Sequence, residues 1–448
     1  MYRLKVQFFG AAGEVGRSCI LIESNGSRVL MDAGVKPSGE GSQGNNTFPV
    51  IPDDMIKSLD AIVLTHAHLD HAGYLPHIFS TGWKGKVYAT KPTMELSNVL
   101  VNDYMRISNP SNVTKNGLNA LQKGYKLVEY NNEFKVNDMY FRLLPAGHIL
   151  GSSMVQATDG HNTVLYTGDF NLKVTKLLNP AHSSNLNADT LIMESTYGGE
   201  KDVFPTETQI LKDMMQSMKE TLNNGGKVII PSFAVGRAQE VLFILDDYIR
   251  SGILPKVPIY IDGMIGKAIG IYRHNVIFCR EEIQRKILMS EIDPFRSENF
   301  FEVKSPGMRN RIMHDKRPCV IVTTSGMLNG GPITKYLTSL AGDEQNKLIL
   351  VGFQVEGTRG RTLLDGAKEL DIDGNKVEIK LQVEMYHLSA HADRSQLTKF
   401  VDKINGLSNT FLVHGEQEKI DSLSSALTQA REHRFKTHKP NLGFSMEF

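Results

Sequence analysis

Cysteine is scarce here: Cys19, Cys279 and Cys319 are the three in 448 residues. They lie far apart with no CxxC pair, which argues against a disulfide framework or a thiolate zinc site and fits a reducing, cytoplasmic setting. Long apolar runs are missing, so no membrane span is expected. The first residues, MYRLKVQFFG, enter a strand-like pattern without the charged-then-apolar layout of a leader peptide. Net charge is nearly missing too, at +1. No global field therefore draws in a polyanion, and any such attraction must come from locally clustered charge. No internal repeat and no low-complexity segment is present. What remains is ordinary for a globular chain, with 41% hydrophobic and 22% charged residues. The length exceeds that of a usual single domain, so two lobes are expected.

The opening alternates short strand patterns with glycine turns: YRLKVQFFG, SCILIES, SRVLMDAG. The turn from Gly10 through Gly13 to Gly16 looks superficially like a dinucleotide fingerprint. Another β-branched strand pattern follows it where that motif needs a helix, so a plain strand-to-strand turn is the reading. Helical patterns are expected around 92–124 and strands at 126–144 and 162–167. From about 205 to 385, long helices alternate with parallel-type strands (TQILKDMMQSMKETL, GGKVIIPSF, RAQEVLFILDDYIRSG, VPIYID), which predicts a βαβ lobe of its own. The last residues return to short strands such as TFLVHGE with one terminal helical pattern. Residues 36–48 form a polar, glycine-rich loop.

The strongest local signal is Thr65-His66-Ala67-His68-Leu69-Asp70-His71, directly after the strand pattern DAIVLT. Imidazole nitrogens and carboxylate oxygens suit zinc. A loop at a strand end can turn alternate side chains towards two neighbouring metal positions. Four such groups desolvated together without a cation would be costly, which disfavours separately satisfied structural histidines. Further ligands must come from distant strand ends. His148 in LLPAGHILGSS, Asp169 in TVLYTGDF, His414 in TFLVHGE and Asp32 in RVLMDAG each close an apolar strand. Any one alone would read equally well as a cap or turn residue.

Asp32, the His66–His71 cluster, His148 and Asp169 resemble, in order, the signature of the metallo-β-lactamase superfamily. Glu194 in MESTYG, His391 in HLSAHAD and His414 in LVHGE are similar to the three further motifs of its nucleic-acid-processing β-CASP branch. PSFAVGRAQE (231–240) and TSGMLNGGP (324–332) look like that branch as well, and the archaeal ribonuclease J and cleavage-and-polyadenylation-factor-like group is most similar. The resemblance implies a four-layer αββα metallo-β-lactamase fold with an inserted α/β β-CASP domain. The expected boundaries are 1–200 and 387–448 for the first domain and 201–386 for the insertion.

It also implies two zinc ions: His66, His68 and His148 hold one, Asp70, His71 and His414 the other, and Asp169 bridges them. Asp32 orients the histidine loop. Glu194, His391 and Asp70 are the implied catalytic residues, with His391 protonating the leaving 3′ oxygen and Glu194 holding it. Ser232, Arg237, Ser325, Ser389 and Ala390 are implied substrate contacts, Arg237 as a phosphate contact at a strand-to-helix turn. Between 273 and 317 ten Lys/Arg face seven acids, a basic lining or simply a solvated face. Because motif chemistry starts almost at Met1, no N-terminal RNA-binding extension is expected; nor is a C-terminal domain of the kind bacterial ribonuclease J carries.

The implied function is a ribonuclease acting on single-stranded RNA to leave 5′-phosphates, 5′→3′ exonucleolytic with endonuclease activity in the same site, in a homodimer. Three alternatives share the core. An endonuclease of the cleavage-and-polyadenylation-factor type is favoured by the SAHAD form of the His391 motif. A DNA-processing β-CASP nuclease of the crosslink-repair kind lacks a histidine at the position of His414. A lactamase or thioesterase would have no use for the inserted lobe. The intact ligand positions count against a fourth reading, a non-catalytic assembly subunit.

Overall fold

The computed structural model describes residues 4–36, 47–108, 110–289, 293–431 and 434–448. Most of the glycine-rich loop expected at 36–48 lies outside them.

Two seven-stranded sheets are stacked face to face in the first lobe. One runs, in spatial order, Ser445–Glu447, Leu4–Phe8, Ile20–Ser24, Ser27–Met31, Ala61–Val63, Lys86–Ala89, Tyr125–Leu127. The other runs Lys436–His438, Asn409–Val413, Thr190–Glu194, Thr163–Tyr166, Ser153–Thr158, Met139–Pro145, Glu133–Val136. Period-2 alternation explains the stacking: Leu4, Val6 and Phe8 point inward from the first strand, and meet Phe141, Val155, Tyr166, Ile192 and Phe411 of the opposite sheet. Helices cover both outer faces. Ile56, Leu75, Ile78 and Val101 close one, and Leu397, Phe400, Leu423 and Leu427 the other, giving four layers.

Six strands between Val228 and Met385 form a sheet of their own, ordered Phe300–Glu302, Ile259–Asp262, Val320–Thr323, Val228–Pro231, Lys347–Leu350, Gln382–Met385 and parallel throughout. Its strands VIIP, VIVT and KLIL are buried along their whole length, as a sheet covered by helices on both faces requires.

The lobes share a buried seam in which Ala67, Leu96 and Ile149 pack with Val235, Phe243 and Tyr272. Glu240, on the helix Arg237–Arg250, reaches across to accept hydrogen bonds from the N–H groups of Lys176 at 3.0 Å and Leu177 at 3.1 Å. Each such buried donor would cost about 1–3 kcal/mol if left without an acceptor.

The turn at 10–16 joins antiparallel strands, as expected. The helical stretch at 92–124 is two helices, Lys91–Ser108 and Lys115–Gly124, the second capped by Thr114. The closing segment holds two helices where one was expected. The extra one, Arg394–Phe400, is started by Asp393, whose carboxylate accepts from the Gln396 N–H. Among the described residues no helix is long and apolar enough to cross a membrane.

Candidate metal centre and cleft

Strand ends deliver the site. The backbone of His66–His71 is seated on residues 33–35: Ala33 N–H donates to His71 O at 2.7 Å and Val35 N–H to Leu69 O at 2.9 Å. Gly34 lies so close between them that a Cβ there would sit 1.7 Å from the Asp70 carbonyl oxygen. Asp32 and His414, each one residue past its strand, hold φ of 60° and 50°, left-handed conformations that a turn at a functional site sustains.

Two four-residue groups of donors meet at Asp169, and a third, smaller one of Asp169, Glu194 and His391 adjoins them. Asp169 Oδ2 lies 3.6 Å from His66 Nε2 and 3.8 Å from His148 Nε2; its Oδ1 lies 3.5 Å from His71 Nε2 and 3.3 Å from His414 Nδ1. His68, His66, His148 and Asp169 form one group; Asp70, His71, His414 and Asp169 form the other. Within each group the ligand atoms lie within 4.8 Å of one another.

The donors are poised for a cation. His148 Nδ1 faces the Ala390 carbonyl at 2.9 Å, so Nδ1 carries the proton and Nε2 turns a lone pair inward. His71 Nδ1 donates likewise to Asp32 Oδ2 at 2.6 Å. His66 Nε2 and Asp169 Oδ1 are buried with no hydrogen-bond partner among the described residues, which a metal would satisfy. Burial pushes His66 and His148 well below the usual imidazole range, keeping them neutral. Burial also disfavours charge on His71, but Asp169 and Asp32 more than reverse it. The residues present fit a divalent metal pair.

Asp32 is fully enclosed and accepts from Thr65 N–H at 2.8 Å and the Tyr166 hydroxyl at 2.9 Å as well as from His71. Thr65 and Tyr166 escaped the reading of the sequence, although Thr65 directly precedes the histidines. Beside the cluster, His391 Nδ1 lies 2.8 Å from Glu194 Oε2 and 4.0 Å from Asp169 Oδ2.

The cleft above has a volume of about 480 Å³, and Arg237, Ser325, Ser389, Ala390 and His391 all line it. Ser389 Oγ accepts from the His391 N–H at 2.9 Å, which shapes the turn. Ser232 is different. It is buried beneath the turn and does not reach the cleft; its neighbour Phe233 does. Arg237 is 8% exposed and sits at the N-terminus of its helix near Glu240. The cations at 273–317 do not line the cleft. Arg273 and Arg296 pair with Asp293, Arg280 and Lys286 with Glu282, Arg309 with Asp262 and Arg317 with Asp315, which makes this stretch a solvated face.

Stacked sheets that bring nitrogen and oxygen donors from distant strand ends to one buried carboxylate define a metallo-hydrolase. Residues 12–220 match the metallo-beta-lactamase superfamily, 238–363 the Beta-Casp domain, and 376–440 the Zn-dependent metallo-hydrolase RNA specificity domain. An RNase J-like protein of Methanocaldococcus jannaschii is 36% identical, the match covering 98% of each chain. Transcription termination factor FttA is 36% identical in the same organism, covering 98% of this chain and 71% of that one. FttA of Lokiarchaeum sp. is 38% identical, covering 95% and 68%. A crystal structure of a protein of unknown function from Enterococcus faecalis shares the fold over 100% of both chains, with TM-score 0.60 and 14% identity. The chain belongs to the β-CASP branch of the metallo-β-lactamase superfamily and is by family a metal-dependent ribonuclease.

Proposed function

We propose that the protein hydrolyses single-stranded RNA at two zinc ions, leaving 5′-phosphate products, mainly by 5′→3′ trimming with internal cutting in the same site. The observation that carries this is the Glu194–His391 pair set beside Asp169 at the floor of the cleft. His66, His68 and His148 would hold one ion, Asp70, His71 and His414 the other, with one Asp169 oxygen towards each. The nitrogen-and-oxygen donor set supports zinc. Such a pair, when bound, supplies a water nucleophile at neutral pH and offsets charge on the phosphate oxygens.

The chain's own groups do the rest. Asp70, 3.3 Å from His414 Nε2, orients the attacking side of the site. His391 hands its proton to the departing 3′ oxygen, and Glu194 holds the ring in place for it. Asp32 keeps His71 turned inward. Ser389, Ala390, Arg237 and Ser325, which line the cleft, would hold a strand's terminal phosphate, a grip that supports trimming from an end. The SAHAD form of the motif supports a second reading, internal cutting of the cleavage-factor kind.

Domain limits at 200/201 and 386/387 belong to the same proposal, supported by which strands share a sheet, as do a homodimer and a cytoplasmic location. Purified protein assayed on single-stranded RNA, single-stranded DNA and nitrocefin tests the reading. RNA alone should be consumed, with metal analysis returning zinc. Turnover of nitrocefin without RNA cleavage would refute it.

A further inference from the structure

The walls of the cleft are apolar where a groove that tracks a polyanion would be basic. Leu100, Tyr104 and Ile107 of the helix Lys91–Ser108 line one side. Their spacing of four and three places them on one helical face. Ile107 is 68% exposed, so the fold itself leaves part of this face uncovered. Phe233 and Val235 continue the apolar surface from the second lobe. The Phe233 ring centre lies 6.0 Å from that of His68, so the surface runs down to the metal cluster itself. Only Lys36 and Arg237 supply lysine or arginine to the cleft among the described residues. Lys36 is already bound to Glu14 at 2.8 Å. The ion-paired cations at 273–317 lie elsewhere.

We infer that the protein seats the bases of an unpaired RNA strand against Tyr104, Ile107 and Phe233, and neutralises few of its phosphates with side chains. The inference rests on the nuclease reading above and adds how the strand is held. Every base has an apolar face, so such a wall gains affinity without reading sequence. A duplex keeps its bases inside and cannot use the wall, so the site selects unpaired strands. Each phosphate neutralised on a single strand adds about 0.7 to the slope of log affinity against log salt. Arg237 with a partly engaged Lys36 therefore gives a shallow dependence, a slope of about 0.7–1.4.

Steady-state kinetics on a short single-stranded RNA test this. The comparison substrate is the same RNA with abasic ribose at the positions flanking the cut. The abasic strand should raise KM about tenfold or more, the effect of a lost stack. Tyr104→Ala should raise KM for the intact RNA about tenfold with the smaller change in kcat, and retain its metal. Tyr104→Phe, which keeps the ring, should recover most of that loss. Should Tyr104→Ala fail to fold, the abasic arm on the wild-type protein decides alone. Equal KM on intact and abasic strands, or a salt slope steeper than about 4, overturns the inference while the nuclease reading stands. No RNA cleavage by the wild type overturns both.

Discussion

Glu194 holds His391 from behind, with Oε2 2.8 Å from the ring Nδ1. Its other oxygen accepts from the Phe170 N–H at 2.8 Å, and the carboxylate is fully buried. A carboxylate pinned at both oxygens can neither swing nor be rinsed by solvent. Burial alone would push His391 down, but Glu194 and Asp169 outweigh it and raise its pKa to about 9. The imidazole is therefore protonated at neutral pH.

Replacing that donor should separate chemistry from metal binding. His391→Ala is expected to keep its metal and lose turnover by about 10²–10⁴, as for a missing general acid. Metal analysis beside single-turnover rates decides it. An unchanged rate would sink the assignment, and loss of metal would make His391 a ligand.

The same pair sets a pH dependence. The acid form exists below the raised pKa, so activity that needs it should fall as pH climbs through about 9. Glu194→Gln removes the charge that lifts the pKa, so the alkaline limb of kcat should move to lower pH. A pH–rate profile with the limb unmoved would show that Glu194 does not govern this proton.

Asp169 faces both donor groups, one oxygen to each. Asp169→Ala should therefore lower bound metal and abolish RNA cleavage together. Full metal content in that variant, read by elemental analysis, would contradict a shared ligand.

Direction of attack can be read from the ends of the substrate. An RNA labelled at its 3′ end, carrying a 5′-monophosphate or a blocked 5′ end, should be trimmed faster in the phosphorylated form. Equal rates with internal fragments appearing first would favour internal cutting.

Stability has its own test in the second lobe. Buried Lys347 donates to Glu384 at 2.7 Å and to Ser217. Burial alone would raise Glu384, but the hydrogen bonds it accepts from Lys347, Ser217 and Tyr386 lower it. Its contribution is thus full above the usual carboxylate range and is lost as pH falls through the lowered value. Glu384→Gln leaves a buried ammonium without its counter-charge and should cost about 3 kcal/mol in denaturant unfolding at neutral pH. A loss below about 0.5 kcal/mol would show the pair to be inert.

The fold class was readable because each strand carries its own evidence: LKVQF alternates for a sheet with one buried face, and VIIP is apolar throughout for a sheet covered twice. The donors were readable because a polar residue closing an apolar strand has few structural excuses beside three clustered histidines. Asp393 with Gln396 did announce the helix Arg394–Phe400, but seven residues are too few for a periodic signal. Long-range partners were not readable. Asp262 meets Arg309 at 2.7 Å across 47 residues, which is why the sequence left a run of cations open between a lining and a solvated face. Ser232 and Phe233 are neighbours in an extended segment, and nothing local says which of the two faces the cleft.

The order in which the donors occur along the chain has a consequence during synthesis. His66 is followed by His414 only after the whole second lobe has been translated, and His391 comes barely sooner. A ribosome that has delivered residues up to 385 has made neither His391 nor His414. On the mechanism proposed above, a product that stops there lacks both groups and would not cleave RNA.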